Sequence, residues 1–223
     1  GVRLSWTRLP GADAATEGRP FMRTALEPRF IDTEGRMSLR AVCRAGDVDR
    51  ARALLKACAD VNHADALGRT ALMGASRGHV ECALLLLEAG AKVNTSDLDG
   101  RTSTMMACAR GHAGCTHLLL GVGADVGESD EYGSTALMDA SKHGHTDCVR
   151  ILIEAGAHVD HYSTVHGHTA LMLASKNHHP DCVRLLLEAD ADVLATDMGG
   201  RTALSRGSGQ LAVVQLLCAY GAR

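Results

Sequence analysis

The sequence predicts an all-α solenoid with short β-hairpin-like finger loops, built from about six copies of one helical unit. First, the motif Gly-x-Thr-x-Leu, or a close variant, recurs at intervals of 32 to 34 residues. Second, aromatic residues make up only 3% of the chain, so Leu, Ala, Val, Met and Cys must fill the core, as in thin helical layers. Because one such unit cannot bury its apolar faces alone, stacked units form a continuous elongated core. The motif begins at Gly35, Gly68, Gly100, Gly133, Gly167 and Gly200.

Each unit is predicted to contain two helices followed by an extended finger. The first helix begins at a threonine whose hydroxyl can accept a hydrogen bond from an exposed backbone N–H, and residues 136–142 are typical of it. A Gly-His pair such as Gly144-His145 ends that helix, because glycine tolerates left-handed geometry. The second helix carries an apolar run, as in residues 182–187, and a further glycine such as Gly156 closes it. The predicted N-caps are Thr70, Thr102, Thr135, Thr169 and Thr202.

This unit resembles the ankyrin repeat, whose Thr-Pro-Leu-His-x-Ala signature stands here as Thr-Ala-Leu-Met. The resemblance covers roughly residues 35 to 223, with repeats that start near the six glycines above. Two positions depart from the family pattern. Alanine replaces the proline, which gives up a preset helical φ, and methionine replaces the histidine. The methionines are Met73, Met105, Met138 and Met172.

The methionine column has two interpretations. Thioethers at one per repeat could form a copper site or a promiscuous peptide site. In a solenoid, however, columns that run along the chain are how successive layers pack. We therefore expect these methionines to be adaptable core side chains.

Residues 1–34 do not fit the repeat and are predicted to form an irregular N-terminal extension. Three prolines and scattered glycines favour irregular backbone over a helix layer. The extension also contains Trp6, Phe21 and Phe30, the three largest apolar side chains of the protein. These side chains either pack back on the array or dock on a partner, and the sequence leaves both alternatives open.

Four of the eight cysteines, at positions 82, 115, 148 and 182, occupy one position of successive units. Packed helix layers lie about 8–10 Å apart, whereas a disulfide needs Cα atoms within about 7 Å, so this column is not expected to bridge itself. Cys43 and Cys108 occupy a second position where other units have serine, which indicates tight packing. Without a Cys-x-x-Cys pair, zinc is weakly supported. The sequence predicts reduced thiols in an intracellular reducing compartment, the cytoplasm first, with the nucleus or an organelle interior as alternatives.

Histidine is enriched, and most of its positions follow the repeat. His79, His112, His145 and His179 fill the Gly-His position and are expected to hydrogen-bond adjacent loops. The segment 158–168 is unusual because four histidines and Asp160 could collect a metal at a fingertip. Ligands on an exposed hairpin without supporting partners are more often solvated, so we prefer a polar or pH-sensitive contact surface. No metal site and no cofactor is predicted.

The bulk properties and motifs argue against several function classes. The net charge of −3 gives no reason to expect nucleic acid as a partner, and the apolar runs are too short for membrane insertion. No nucleophile has a base fixed by spacing, and a one-dimensional stack offers a groove rather than an enclosed catalytic pocket. The sequence therefore predicts a protein that is not an enzyme and that acts as a protein-interaction module, an adaptor or scaffold.

The resemblance also implies where a partner binds, because ankyrin-like proteins use the fingertips and the exposed side of each first helix, which together form a concave face. In this chain the fingertip residues are Leu67, Arg69, Asp99, Arg101, Tyr132, His166, His168 and Arg201. The first-helix residues are Arg77, Arg110, Lys142, His143, Lys176 and Asn177. Seven of these residues are basic and only Asp99 is acidic, while acidic residues fall on the second helices.

This segregation of charge predicts a basic concave groove that binds an acidic segment or surface of another protein, since arginine pairs with carboxylates through two hydrogen bonds. Tyr132 is the predicted aromatic anchor. The alternative is that Arg and Lys simply keep an exposed face soluble. Two other function classes are considered: a constitutive structural subunit of a large multiprotein complex, and nucleic-acid binding, which is disfavoured because no aromatic platform interleaves the arginines.

Overall fold

A computed structural model describes residues 38–222 of the chain. The predicted N-terminal extension, with Trp6, Phe21 and Phe30, lies outside the described residues. Within them, twelve helices form six consecutive pairs, each with a first helix of five to eight residues and a second helix of nine. The helices are α1 Leu39–Arg44, α2 Val48–Lys56, α3 Ala71–Ala75, α4 Val80–Glu88, α5 Ser103–Cys108, α6 Ala113–Gly121, α7 Ala136–His143, α8 Thr146–Glu154, α9 Ala170–Lys176, α10 Pro180–Glu188, α11 Ala203–Gly207 and α12 Leu211–Ala219.

The pairs stack in a single direction, with the first helices in one layer and the second helices in another. In the first layer α1 packs on α3, and the contacts continue through α5, α7 and α9 to α11. In the second layer α2 packs on α4, and the contacts continue to α12. Between pairs the chain extends into fingers, two of which carry isolated antiparallel bridges, Ser96 to Thr102 and Ser129 to Thr135. The architecture is the predicted α-solenoid with hairpin-like fingers.

The predicted threonine caps are all confirmed. Each of the five hydroxyls accepts a hydrogen bond from the backbone N–H three residues later, which satisfies a donor that the helix leaves free. For Thr102 the acceptor distance to the Met105 nitrogen is 3.3 Å. These caps fix where each of the five first helices begins.

The core consists of the columns that the repeat predicts. Met73, Met105, Met138 and Met172 are each 1% exposed, which confirms their interpretation as core side chains. The cysteines of both columns are buried and free, whereas Cys58 and Cys218 are exposed. Burial raises the pKa of the Cys43 thiol to about 12, because the apolar interior disfavours the thiolate.

Neighbouring repeats are joined by a hydrogen bond at every fingertip in the described part. The backbone nitrogens of Leu98, Glu131, Thr164 and Met198 donate to carbonyl oxygens of the preceding finger at 3.0 to 3.1 Å. A second set of hydrogen bonds between neighbouring repeats involves the asparagine side chains that follow the Ala-x-Val segments. Asn62 accepts from the Lys92 nitrogen at 2.8 Å, and Asn94 accepts from the Asp125 nitrogen at 3.0 Å. These bonds hold successive fingers in one continuous ribbon.

Candidate functional site

The fingers and the first helices form a concave groove of about 940 Å³. Ten of the fourteen predicted site residues line it, so the structure brings most of them together on one surface. The ten are Arg69, Arg77, Asp99, Arg101, Arg110, Tyr132, Lys142, His143, His166 and His168.

The other four predicted residues lie elsewhere. Lys176 and Arg201 line an adjoining depression of about 310 Å³ that shares His166 and His168 with the groove. Leu67 is half exposed at a fingertip and lines neither cavity. Asn177 is also outside both cavities, and its side-chain amide donates to the Leu173 carbonyl at 2.8 Å. The predicted surface is therefore continuous from Arg69 to Arg201, with Leu67 and Asn177 at its margins.

Four of the five finger turns between residues 65 and 200 are built on an aspartate that the sequence interpretation missed, and the fifth is built on Ser163. The Asp97 carboxylate accepts from the backbone nitrogens of Asp99 at 3.1 Å and Arg101 at 2.9 Å. The same pair of bonds recurs at Asp65, Asp130 and Asp197. Side chains that accept from a backbone N–H two residues on stabilise tight turns. The signal was present in the sequence as Asp-x-x-Gly, with the aspartate three residues before every motif glycine except Gly167.

Besides Asp99, three carboxylates outside the predicted set line the groove, those of Asp97, Asp130 and Asp139. The first two form the finger turns, and Asp139 rises from α7. Four carboxylates thus face five Arg and Lys side chains, so the groove is not uniformly basic.

Three of the predicted basic residues form ion pairs within the fold, namely Arg69, Arg101 and Arg201. Arg69 pairs with Asp65, with 3.0 Å between Nη2 and Oδ2, and Arg101 reaches into the next repeat to Asp139 at 2.6 Å. Burial raises the pKa of Asp139, while the positive charge and hydrogen bond of Arg101 oppose this shift. These arginines position the fingers, and their charge is largely balanced before any partner arrives.

Four other basic residues have no carboxylate within ion-pairing distance among residues 38–222. They occur once per repeat near the end of successive first helices, and we call them the cation row: Arg77, Arg110, Lys142 and Lys176. Burial lowers the pKa of Arg77, and the charges of Arg110, Arg44, Arg40 and Arg69 lower it further. Unbalanced positive charge therefore collects along this side of the groove.

At the far end, His168 is part of a buried network. Arg206 donates to His168 Nε2 at 2.6 Å and is ion-paired with Asp197, and Arg201 Nε lies 3.2 Å from the same Asp197 oxygen. Burial first, and then the charges of Arg206 and His166, lower the pKa of His168 to about 4. The hydrogen bonds from Arg201 and Arg206 hold the pKa of Asp197 far below its usual range. His168 is therefore a neutral acceptor at physiological pH.

Two further rings that line the groove are those of His143 and Tyr132. His143 Nδ1 lies 2.9 Å from the Asp139 carbonyl of its own helix, and its ring stacks on His145 with centroids 6.0 Å apart. Tyr132 is 55% exposed, and its hydrogen bond with Glu131 raises the pKa of its phenol. Tyr132 is thus an exposed aromatic ring in the groove, and its role as an anchor stays a prediction.

The histidine-rich finger is engaged in local contacts. Asp160 accepts from the Asp192 nitrogen at 2.8 Å, and the rings of His166 and His168 lie 5.1 Å apart. Over residues 38–222 no three His, Cys, Asp or Glu side chains form a group that could hold a metal ion. In the same range no helix is long and apolar enough to cross a bilayer.

Comparisons with known proteins agree with this geometry. The family model for ankyrin repeats in three copies matches residues 13–97, 93–163 and 159–223. The crystal structure of the human ASB11 ankyrin repeat domain is similar at a TM-score of 0.77 and 32% sequence identity, over 84% of this chain and 85% of that chain. No curated protein matches the sequence.

Proposed function

Because the chain belongs to the ankyrin-repeat family, whose repeats are protein–protein interaction modules, we propose that it is an adaptor that binds an acidic segment of another protein in the groove. The observation that carries this proposal is the cation row. Its four side chains lie on one side of a continuous concave surface and lack carboxylate partners among the described residues. A bound acidic segment would supply the missing counter-charges.

The energetics favour the cation row over the other arginines as the recognition element. Arg69 and Arg101 already bond to Asp65 and Asp139, so a partner gains little from them. Arg77 and Arg110 repel each other in the free protein. A carboxylate placed between them relieves that repulsion and forms charge-assisted hydrogen bonds, which are roughly twice as strong as neutral ones.

A charge-reversal pair tests the proposal. We expect Arg77→Glu/Arg110→Glu to reduce capture of acidic partners from a lysate of the native source by about tenfold, which corresponds to about 1.4 kcal/mol. Arg101 is left unchanged, because a carboxylate there would face Asp139 and perturb the fold. Crosslinking followed by mass spectrometry would measure the captured proteins.

The matched control is Arg150→Glu/Arg184→Glu, which makes the same charge change on the second helices. Arg150 and Arg184 are exposed there, away from the groove. Equal capture by the two double variants would place the binding surface outside the groove.

We also propose a reducing compartment, supported by six buried and two exposed cysteines that are all free.

A further inference from the structure

A line of exposed apolar side chains follows the fingertips. Leu98 and Met198 expose 70% and 69% of their surfaces, and each stands at the centre of a finger turn that is hydrogen-bonded to the preceding finger. A single exposed leucine is ordinary, but an exposed apolar side chain on each of five successive fingers points to a contact surface. We call these residues the fingertip row: Leu67, Leu98, Tyr132, Val165 and Met198.

The fingertip row lies on the fingers and the cation row lies near the ends of the first helices, the two kinds of element that form the groove. Tyr132 and Val165 line the main cavity, and Met198 lines the adjoining depression. Among the carboxylates that line the groove, Asp97 and Asp130 accept hydrogen bonds from backbone N–H groups, and Asp139 pairs with Arg101. The structure thus presents one apolar line and one unbalanced positive line, each with one member per repeat over most of the array. A ligand that matches both rows must therefore carry apolar side chains and negative charges.

We infer that the occupant is an extended peptide segment in polyproline II conformation, with apolar side chains on one side and carboxylates on another, each recurring every third residue. This inference rests on the proposed function and specifies the partner's chemistry. The apolar side chains contact the fingertip row, and the carboxylates pair with the cation row.

The repeat spacing selects this conformation. Packed helix layers lie about 8–10 Å apart. A polyproline II helix has three residues per turn and rises about 3.1 Å per residue, so residues i and i+3 point the same way about 9 Å apart. A β-strand repeats its side-chain direction after about 7 Å. An α-helix reaches a similar spacing on one face only after seven residues. Its side chains at i+3 and i+4 point to that same face, and neither row has a side chain at the intermediate positions to contact them.

Fluorescence anisotropy with the full chain and three labelled synthetic peptides tests the inference. The first peptide is five copies of Pro-Leu-Glu, and the second is five copies of Pro-Gly-Glu, which has equal charge but no apolar row. The third has the composition of the first with Leu and Glu exchanged in every second triplet. We expect the first peptide to bind at least about tenfold more tightly than the other two.

Two double variants test which side chains of the protein cause the difference in peptide affinity. Leu98→Ser/Met198→Ser changes two exposed side chains and should remove most of the advantage of the first peptide over the second. Arg77→Ala/Arg110→Ala should weaken binding of all three peptides about tenfold. Circular dichroism confirms that each variant retains its helices, since neither pair of side chains is part of the buried core.

Each alternative result has a distinct meaning. Equal binding of the first and second peptides, with both weakened by Arg77→Ala/Arg110→Ala, overturns the apolar row and leaves the acidic-partner proposal standing. Equal binding of the first and third peptides overturns the three-residue spacing. No binding of any peptide at millimolar concentration overturns this inference as a whole, while the capture experiment with Arg77→Glu/Arg110→Glu decides the proposed function independently.

Discussion

His179 lies directly against Gly144 of the preceding repeat. A Cβ on Gly144 would stand 2.5 Å from His179 Nδ1, and the other ring nitrogen lies 3.2 Å from the Lys142 carbonyl oxygen. The same contact joins His79 to Gly46 and His145 to Gly111. The glycine is therefore required both for its left-handed φ of 75° and for the space that the ring occupies.

Alanine substitutions should separate these two requirements. Gly156 has a similar φ of 84°, but an added Cβ there has no described atom within 4 Å. Gly156→Ala should therefore cost only the left-handed strain, about 1–2 kcal/mol. Gly144→Ala should cost about 1–2 kcal/mol more, because the ring must move and lose its hydrogen bond. Urea unfolding would measure both, and equal losses would show that the ring contact contributes nothing.

The sequence predicted the array because its signals are local. The threonine caps, the Gly-His turns and the methionine column each depend on residues within one unit, and all of them hold. A departure at His178 depends on the next repeat instead. His178 has a φ of 61° at the position where other repeats have glycine. In the next repeat the histidine of the Gly-His pair is replaced by Gln210, so no histidine ring of that repeat packs against His178.

The site was less predictable because its charge balance depends on contacts between repeats. The register placed Arg101 at a fingertip correctly, but its pairing with Asp139 joins residues 38 positions apart. The roles of Asp97 and Asp130 were not predicted, because the family resemblance implies binding residues only at the fingertip positions that follow them. The sequence therefore indicated the surface, while the structure distinguishes the balanced arginines from the cation row.

Gly127→Asn should stabilise the protein. Asn62 and Asn94 at the equivalent position each bond to the next repeat, but Gly127 has no side chain to do so. Its φ is outside the left-handed region, and an added Cβ meets only the Asp125 side chain at 3.4 Å. The new amide should bond near Gly156 and His158 and add about 1 kcal/mol. Gly127→Ala, which gains only from reduced backbone freedom, is the control. Equal stability of the two variants would contradict the bond.

Arg101→Ala should destabilise the fold by about 2 kcal/mol, because it leaves the largely buried Asp139 carboxylate without its partner. Adding Asp139→Asn should recover most of the lost unfolding free energy, since burying a neutral amide costs less free energy than burying an unpaired carboxylate. A double-mutant cycle from urea unfolding measures the coupling free energy. Strictly additive losses would mean that the 2.6 Å ion pair makes no net contribution.

His168 should make the stability depend on acid pH. Its pKa is lowered to about 4 in the folded chain, whereas an unfolded histidine titrates near about 6.5. Between these values the unfolded chain binds more protons, so the stabilisation is fully present above about pH 6.5 and is lost as the pH falls toward about 4. At about pH 5 the loss should reach about 2 kcal/mol.

His168→Gln isolates this contribution because its amide oxygen can still accept from Arg206 but does not titrate. Burial also lowers the pKa values of His112 and His145, yet these histidines are present in both proteins and cancel in the comparison. The unfolding free energy of the natural protein should therefore fall by about 2 kcal/mol relative to the variant between about pH 7.5 and about pH 5. A constant difference over that range would mean that burial and the charge of Arg206 do not lower the pKa of His168 in the folded chain.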